Sequence, residues 1–211
     1  MTARLIGLGG RLRAGKDTVA DVLVEHHGFR KMGMSDALAD ALYVLDPVIP
    51  TGIRYSAFVR RVGYVEAKKN PEVRRLLQKL GTEVGRDMIG TNVWVDIIEA
   101  RIRASLAAGI PVAVTGIRFP NEVTMIHRVG GTLVWVSRPE ADNAAPAHAS
   151  ETSVNVAHFD IDMQNDGTLD ELVTRAHRLA NVPAADDEAL PPPMFDLGDG
   201  PRSSGWYGGT E

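Results

Sequence analysis

Gly10, Gly15 and Lys16 stand at the spacing glycine, four residues, glycine, lysine, directly after the apolar run Leu5-Ile6-Gly7-Leu8 and just before a stretch of helical period. That succession of strand, loop and helix is what a phosphate-binding loop requires. Glycines let backbone N–H groups curl around a phosphate chain, the helix N-terminus adds partial positive charge, and a lysine at this position reaches the outer phosphates of a nucleotide. The loop Gly10-Arg11-Leu12-Arg13-Ala14-Gly15-Lys16-Asp17-Thr18 departs from the common pattern in one respect. The position after the lysine, ordinarily a hydroxyl that holds magnesium, is Asp17, and the hydroxyl follows at Thr18. Asp17 could ligate the ion directly or through water, since magnesium prefers oxygen ligands and keeps several waters. The plainer alternative is a glycine-rich turn that only caps a helix.

Two further stretches carry charge in suggestive places. Residues 54–79 hold eight basic residues, Lys68, Lys69, Arg74 and Arg75 among them, against Glu66 and Glu72. Arg74 and Gln78 lie one helical turn apart, so one face can present a guanidinium to a phosphate beside an amide able to read a base edge. A solvated basic face or a nucleic-acid patch is the competing reading. In Val114-Thr115-Gly116-Ile117-Arg118-Phe119-Pro120-Asn121-Glu122 a strand ends and a helix begins. Ligands of open α/β sheets sit at the carboxyl ends of strands, so Arg118 is aimed at the same crevice as Lys16, where a cation stabilises a transferring phosphoryl group. Glu122 could accept from a base or sugar, or the two could form an ion pair at a helix start.

The elements that must position these residues follow from hydrophobic period. Apolar runs at 5–8, 112–115 and 133–136, with 158–162 as a fourth, read as buried parallel strands. Helices are expected near 16–27, 35–45, 71–89, 93–108, 120–129 and 168–180, with start signals at Ser35, Asn92 and Pro120. Alternating strands and helices imply an α/β fold: a doubly wound, three-layer arrangement with a central parallel sheet and helices on both faces. No internal repeat is visible.

Composition narrows the class. The chain has 211 residues, 44% of them hydrophobic and 24% charged, which excludes wholesale disorder, collagen and coiled coil. With no cysteine there is no disulfide framework, thiolate metal site or thiol nucleophile. No apolar run is long enough for a membrane span, and the start Met1-Thr2-Ala3-Arg4-Leu5 lacks the build of a signal peptide, so a cytoplasmic protein with no membrane partner is expected. The net charge of −4 is uneven: residues 183–211 hold six acids against Arg202 alone. That stretch is also rich in proline and glycine and is expected to be a disordered acidic tail, in which Trp206 and Tyr207 could mark a partner-binding spot.

Taken together, Gly15-Lys16-Asp17-Thr18, Leu77-Gln78-Lys79-Leu80-Gly81-Thr82-Glu83-Val84-Gly85-Arg86, Asn92-Val93-Trp94, Arg118-Phe119-Pro120-Asn121-Glu122, Ser137-Arg138-Pro139 and Asn165-Asp166-Gly167-Thr168-Leu169-Asp170-Glu171-Leu172 resemble the deoxynucleoside monophosphate kinases of tailed bacteriophages. The likeness runs from about residue 4 to about residue 180. It implies a P-loop kinase domain over 1–182 with a helical acceptor-binding insertion near 46–90, transferring the γ-phosphoryl group of ATP to a deoxynucleoside 5′-monophosphate in a host cytoplasm to supply phage replication. By position, the resemblance gives ATP and Mg2+ to the loop, with Lys16, Asp17 and Arg118 catalytic and Asp17 and Thr18 on the metal. Gly10, Arg13, Ala14 and Gly15 complete the nucleotide cradle, while Arg138 and the segment through His148, Ser150 and Glu151 correspond to a mobile lid. Asn165 would lie beside the adenine. Arg74, Arg75 and Gln78 would take the acceptor phosphate and base, and Trp94 and Glu122 the base; from the residues themselves a buried core tryptophan is equally compatible with Trp94. Related sequences tend to carry an aspartate where this chain has Gly116, which leaves more of the metal's charge to Asp17.

The neutral body and acidic tail argue against stable nucleic-acid binding, and a homodimer is open. Two alternatives remain: a small-molecule kinase like dephospho-coenzyme A kinase, or a non-catalytic nucleotide- or DNA-binding P-loop module.

Overall fold

The computed structural model describes residues 4–142 and 153–181. Its centre is a five-stranded parallel sheet of order β2-β3-β1-β4-β5, built from β1 (Leu5–Gly9), β2 (Arg30–Gly33), β3 (Val112–Thr115), β4 (Thr132–Ser137) and β5 (Ile161–Gln164). β1 therefore lies in the middle, with β3 and β4 as neighbours. The loop that follows it is flanked on both sides.

Alternation along each strand divides the core into two layers. Leu5, Val112, Val114, Leu133 and Trp135 face α2 (Asp36–Leu45), α6 (Val93–Ala107) and α7 (Pro120–Arg128), while Ile6, Leu8, Ala113, Val134 and Val136 face α1 (Lys16–His27) and α9 (Leu169–Leu179); the single turn α8 (Pro139–Asp142) follows β4. Each of the larger aliphatic side chains here contributes roughly 1.5–3 kcal/mol by leaving water, so the sheet is held from both faces. The expected three-layer α/β fold is present. Between α2 and α6 the chain builds a helical segment of α3 (Tyr55–Val62), α4 (Tyr64–Ala67), α5 (Pro71–Lys79) and a π-helical stretch, Leu80–Ile89. That segment has its own core, in which Leu42 of α2 joins Ile49, Tyr55, Val59, Ala67, Val73 and Leu77.

Three expectations need correction. β2 was not anticipated: it is an edge strand whose Arg30 and Lys31 are exposed, so it shows no apolar run, yet Met32 pairs with Val114 inside the sheet. The fourth expected strand moves from 158–162 to Ile161–Gln164, because Asp160 ends the preceding turn by accepting from the Leu133 N–H at 2.7 Å and donating its own N–H to the Leu133 carbonyl. The helix expected over 71–89 is α-helical only to Lys79. Beyond it the winding opens around Trp94, whose indole N–H donates to the Gly81 carbonyl at 2.9 Å and whose ring lies so close to Gly85 that a β-carbon there would be 2.2 Å from the indole nitrogen. The acidic tail and the His148–Glu151 segment lie outside the described residues.

Candidate functional site

The loop after β1 is shaped by close backbone approach. Gly10 has φ +132°, and a β-carbon on it would be 2.4 Å from the Val136 carbonyl oxygen, so no other residue fits without displacing β4. Arg13 adopts a left-handed conformation at the tip, and Ala14 is fully buried against α9 and the sheet. Asn165, itself buried, donates its side-chain amide to the Ala14 carbonyl at 2.8 Å and so ties the loop to the end of β5. The Lys16 ammonium turns back into the loop, donating to the Gly10 and Arg11 carbonyls at 2.9 and 2.6 Å. Asp17 stays exposed on the first turn of α1, 3.1 Å from the Lys31 ammonium, which also meets Asp21 at 2.9 Å.

Next to this loop is a cleft of about 260 Å³ at the carboxyl ends of β1, β2, β3 and β4. Gly10, Arg13, Lys16 and Asp17 line it from one side, Gly33, Ser35 and Asp36 from β2 and α2, Thr115 to Arg118 from the end of β3, Trp135 from β4, and Tyr64 and Lys68 from the helical segment. Four cations and two carboxylates thus share one crevice. Such a mixture suits a ligand with a chain of phosphates and a cation that accompanies it.

The electrostatics are sharpest at Lys68 and Asp36. Lys68 is partly withdrawn from water, with its ammonium 4.9 Å above the centre of the Tyr64 ring. Burial pushes its pKa down, and the like charges of Arg118 and Arg74 push the same way, against the opposing pull of Asp36 and Asp17. Asp36 is raised, first by burial and then by Asp40, although its carboxylate accepts from the Gly33 N–H at 2.6 Å. At the β3 end, Gly116 has φ +81° with open space where a β-carbon would project. No acid occupies that position, and Asp36 and Asp17 are the cleft carboxylates.

Of the residues singled out from the sequence, Gly10, Arg13, Lys16, Asp17 and Arg118 line this cleft. Ala14, Gly15 and Thr18 belong to the same loop and the first turn of α1 without lining the cleft, and Arg138 follows β4 at the same end of the sheet. Several other expectations change. Glu122 is buried, and its Oε2 accepts from the Arg118 and Phe119 N–H groups at 2.6 and 3.1 Å; burial raises its pKa despite those donors. It fixes the turn that carries Arg118 and does not line the cleft. Trp94 packs against the core with its N–H satisfied by Gly81, and the Asn165 amide, expected beside the adenine, is buried and donates to the Ala14 carbonyl of the loop. Arg75 is engaged by Glu72, at 2.7 Å from its Nε, on an exposed face, and Arg74 and Gln78 are exposed without lining the cleft.

Ser35, Asp36, Tyr64, Lys68 and Trp135 also line the cleft, and the sequence gives none of them a role in a site. Lys68 belongs to the basic stretch, but nothing in its spacing distinguishes it from Lys69, which pairs outward with Glu66 at 2.6 Å. Asp36 left one signal, an acid just after the Ser35 helix start.

The model of the family described as Deoxynucleotide monophosphate kinase matches residues 50–176, more than half of the chain. A putative deoxynucleotide monophosphate kinase of Acanthamoeba polyphaga mimivirus is 26% identical over 189 residues, 81% of this chain and 93% of that protein. Uncharacterized protein ORF77 of Ictalurid herpesvirus 1 is 28% identical over 167 residues, 78% of this chain, and the deoxynucleotide monophosphate kinase of Escherichia phage RB69 is 25% identical over 108 residues, 51% of this chain. The chain spans 64% of the length of the herpesvirus protein and 44% of the phage protein. No helix among the described residues is long and apolar enough to cross a membrane.

Proposed function

We propose that this chain, which belongs to the deoxynucleotide monophosphate kinase family, transfers the γ-phosphoryl group of ATP to a deoxynucleoside 5′-monophosphate, giving ADP and a deoxynucleoside diphosphate by direct in-line displacement. The observation that carries this reading is one crevice lined by Lys16 of the loop, by Arg118 at the end of β3 and by Lys68 of the helical segment. A nucleoside monophosphate and a triphosphate that are to react must bring two highly charged phosphate groups together, and cations on both sides offset that repulsion.

In the proposed step, an oxygen of the acceptor phosphate attacks the γ-phosphorus while the bond to the β–γ bridging oxygen breaks and its electrons leave with ADP. The acceptor oxygen is already ionised, so no protein base is assigned. Lys16 exchanges its loop carbonyls for the phosphates of ATP, and Arg118, its backbone fixed by Glu122, neutralises charge on the transferring group. The oxygens of Asp17, with Thr18 on the same turn of α1, fit a hard cation, and Asp36 is a further carboxylate in the same cleft. Mg2+ bound there would shield the phosphate oxygens from one another. The absence of an acid at residue 116 gives Asp36 and Asp17 the only cleft carboxylates among the described residues for that role.

The helical segment of about 46–90 is read as the acceptor-binding insertion of a domain spanning 1–182, and its separate core supports movement as a unit. A host-cell cytoplasm and a role in supplying DNA precursors for phage or other viral replication accord with this reading. A nucleic-acid patch on residues 54–79 is disfavoured because much of its charge is paired locally: Lys69 with Glu66, Arg75 with Glu72 and Lys79 with Glu83.

ADP release measured with ATP and Mg2+ against each of the four deoxynucleoside monophosphates, with dephospho-coenzyme A in a parallel reaction, tests the assignment. Turnover on at least one deoxynucleoside monophosphate is expected. Turnover on dephospho-coenzyme A alone would move the chain to that chemistry, and steep salt-dependent DNA binding without ADP production would make it a binding module.

A further inference from the structure

Of the basic residues in 54–79, only Lys68 lines the cleft. It sits at the C-cap of the short helix α4, where its backbone N–H donates to the Tyr64 carbonyl. One residue later the chain has turned far enough that Lys69 meets Glu66 in solvent. Arg75 is likewise committed to Glu72 on the outside. The cation that the helical segment presents to the site is therefore an ammonium, placed over an aromatic ring and among the charges of Arg118, Arg74, Asp36 and Asp17.

That placement is unfavourable without an anion. An ammonium partly removed from water loses hydration, and two guanidiniums nearby repel it. Asp36 compensates in part, but it too is partly buried and already accepts from Gly33. A phosphate dianion between Lys68 and Arg118 would satisfy both cations at once. Because Lys16 belongs to the loop and Lys68 to the helical segment read as the acceptor-binding insertion, the phosphate favoured at Lys68 is that of the acceptor.

We propose that Lys68, steadied by the Tyr64 ring, binds the 5′-phosphate of the acceptor nucleotide together with Arg118, in place of Arg75. This assignment deepens the kinase reading and rests on it. Lys68 would lose its contact to the acceptor phosphate if replaced by glutamine, while the donor side would be untouched.

The test has two arms. In the first, Lys68→Gln should raise the KM for the deoxynucleoside monophosphate about 10- to 100-fold, the weight of a charge-assisted hydrogen bond to phosphate, with the KM for ATP within about twofold of wild type. Lys68→Arg should recover part of the loss, and Lys69→Ala should change neither constant. The second arm uses wild-type protein: limited acetylation read by mass spectrometry, where a saturating deoxynucleoside monophosphate without ATP should protect Lys68 and leave Lys69 reactive. Equal acetylation of Lys68 with and without the nucleotide overturns the assignment even if the glutamine variant fails to fold. So does a parallel rise in both KM values. If wild-type protein turns over none of the four acceptors, the kinase reading fails, and the protection experiment still decides whether Lys68 binds the phosphate.

Discussion

The loop at residues 9–18 and the helical segment at residues 55–89 both contribute to one cleft, but they are built on different principles. In the loop, backbone geometry does the positioning: Gly10 is pressed against the Val136 carbonyl, Ala14 is buried and tied to Asn165, and Lys16 closes on two carbonyls. In the helical segment, side-chain pairing decides which charges are available. Lys69, Arg75 and Lys79 have nearby acids on exposed faces, and Lys68 is left to the cleft. A cradle made of backbone is written in glycines at fixed spacing. A binding face made of side chains is written in pairings that a linear pattern does not reveal.

The strongest way to break this contrast is at the loop. Lys16→Ala should reduce turnover on a deoxynucleoside monophosphate by roughly 10³-fold, the scale of removing a preorganised cation from a phosphoryl-transfer site, while circular dichroism remains that of the wild type. Near-normal turnover would mean the loop does not hold the reacting phosphates. Gly10→Ala should cost about 3 kcal/mol in urea unfolding, because the new methyl meets the Val136 carbonyl and the left-handed φ is strained. A stability equal to wild type would show that the loop gives way more easily than its contacts imply.

A smaller effect is expected at Glu122, which supports Arg118 from behind. Burial raises its pKa, so the folded protein binds this proton more tightly than the unfolded chain does. Its contribution is fully present below the ordinary glutamate value of about 4.5 and is lost as pH rises through the higher folded value. Glu122→Gln should remove that downward slope in a series of unfolding curves from pH 4 upward; a slope unchanged from wild type would place the titration elsewhere. The smallest change belongs to Arg75→Ala. Since Arg75 and Glu72 form an exposed pair, kcat/KM should stay within about twofold of wild type, and a large drop in acceptor affinity would return Arg75 to the site.

How much of this was legible depended on where each residue finds its partner. β1, β3 and β4 announced themselves as apolar runs because both their faces are covered, whereas β2 pairs on one edge and spends Arg30 and Lys31 on solvent. Lys16 and Arg118 could be placed from strand ends alone. Trp94 and Glu122 belong to recognisable motifs, yet their polar atoms are occupied by backbone groups, Gly81 for one and Arg118 with Phe119 for the other. Those partners are invisible to spacing rules, because any residue could supply them. Lys68 was hidden for another reason: one step along a short helix separates it from Lys69, and only the packing of Tyr64 makes that step matter.

Trp135 ends in the cleft and meets Phe159 edge to face, 5.0 Å between ring centres, while Trp94 is fastened inside the molecule by its own N–H. The two indoles therefore make an unequal pair of natural fluorophores. Emission from Trp135 should respond when a nucleotide displaces water beside it, and Trp94 should report chiefly on whether the wide helical turn stays wound. With Trp206 replaced to remove its background, light alone could follow ligand entry in an unlabelled sample.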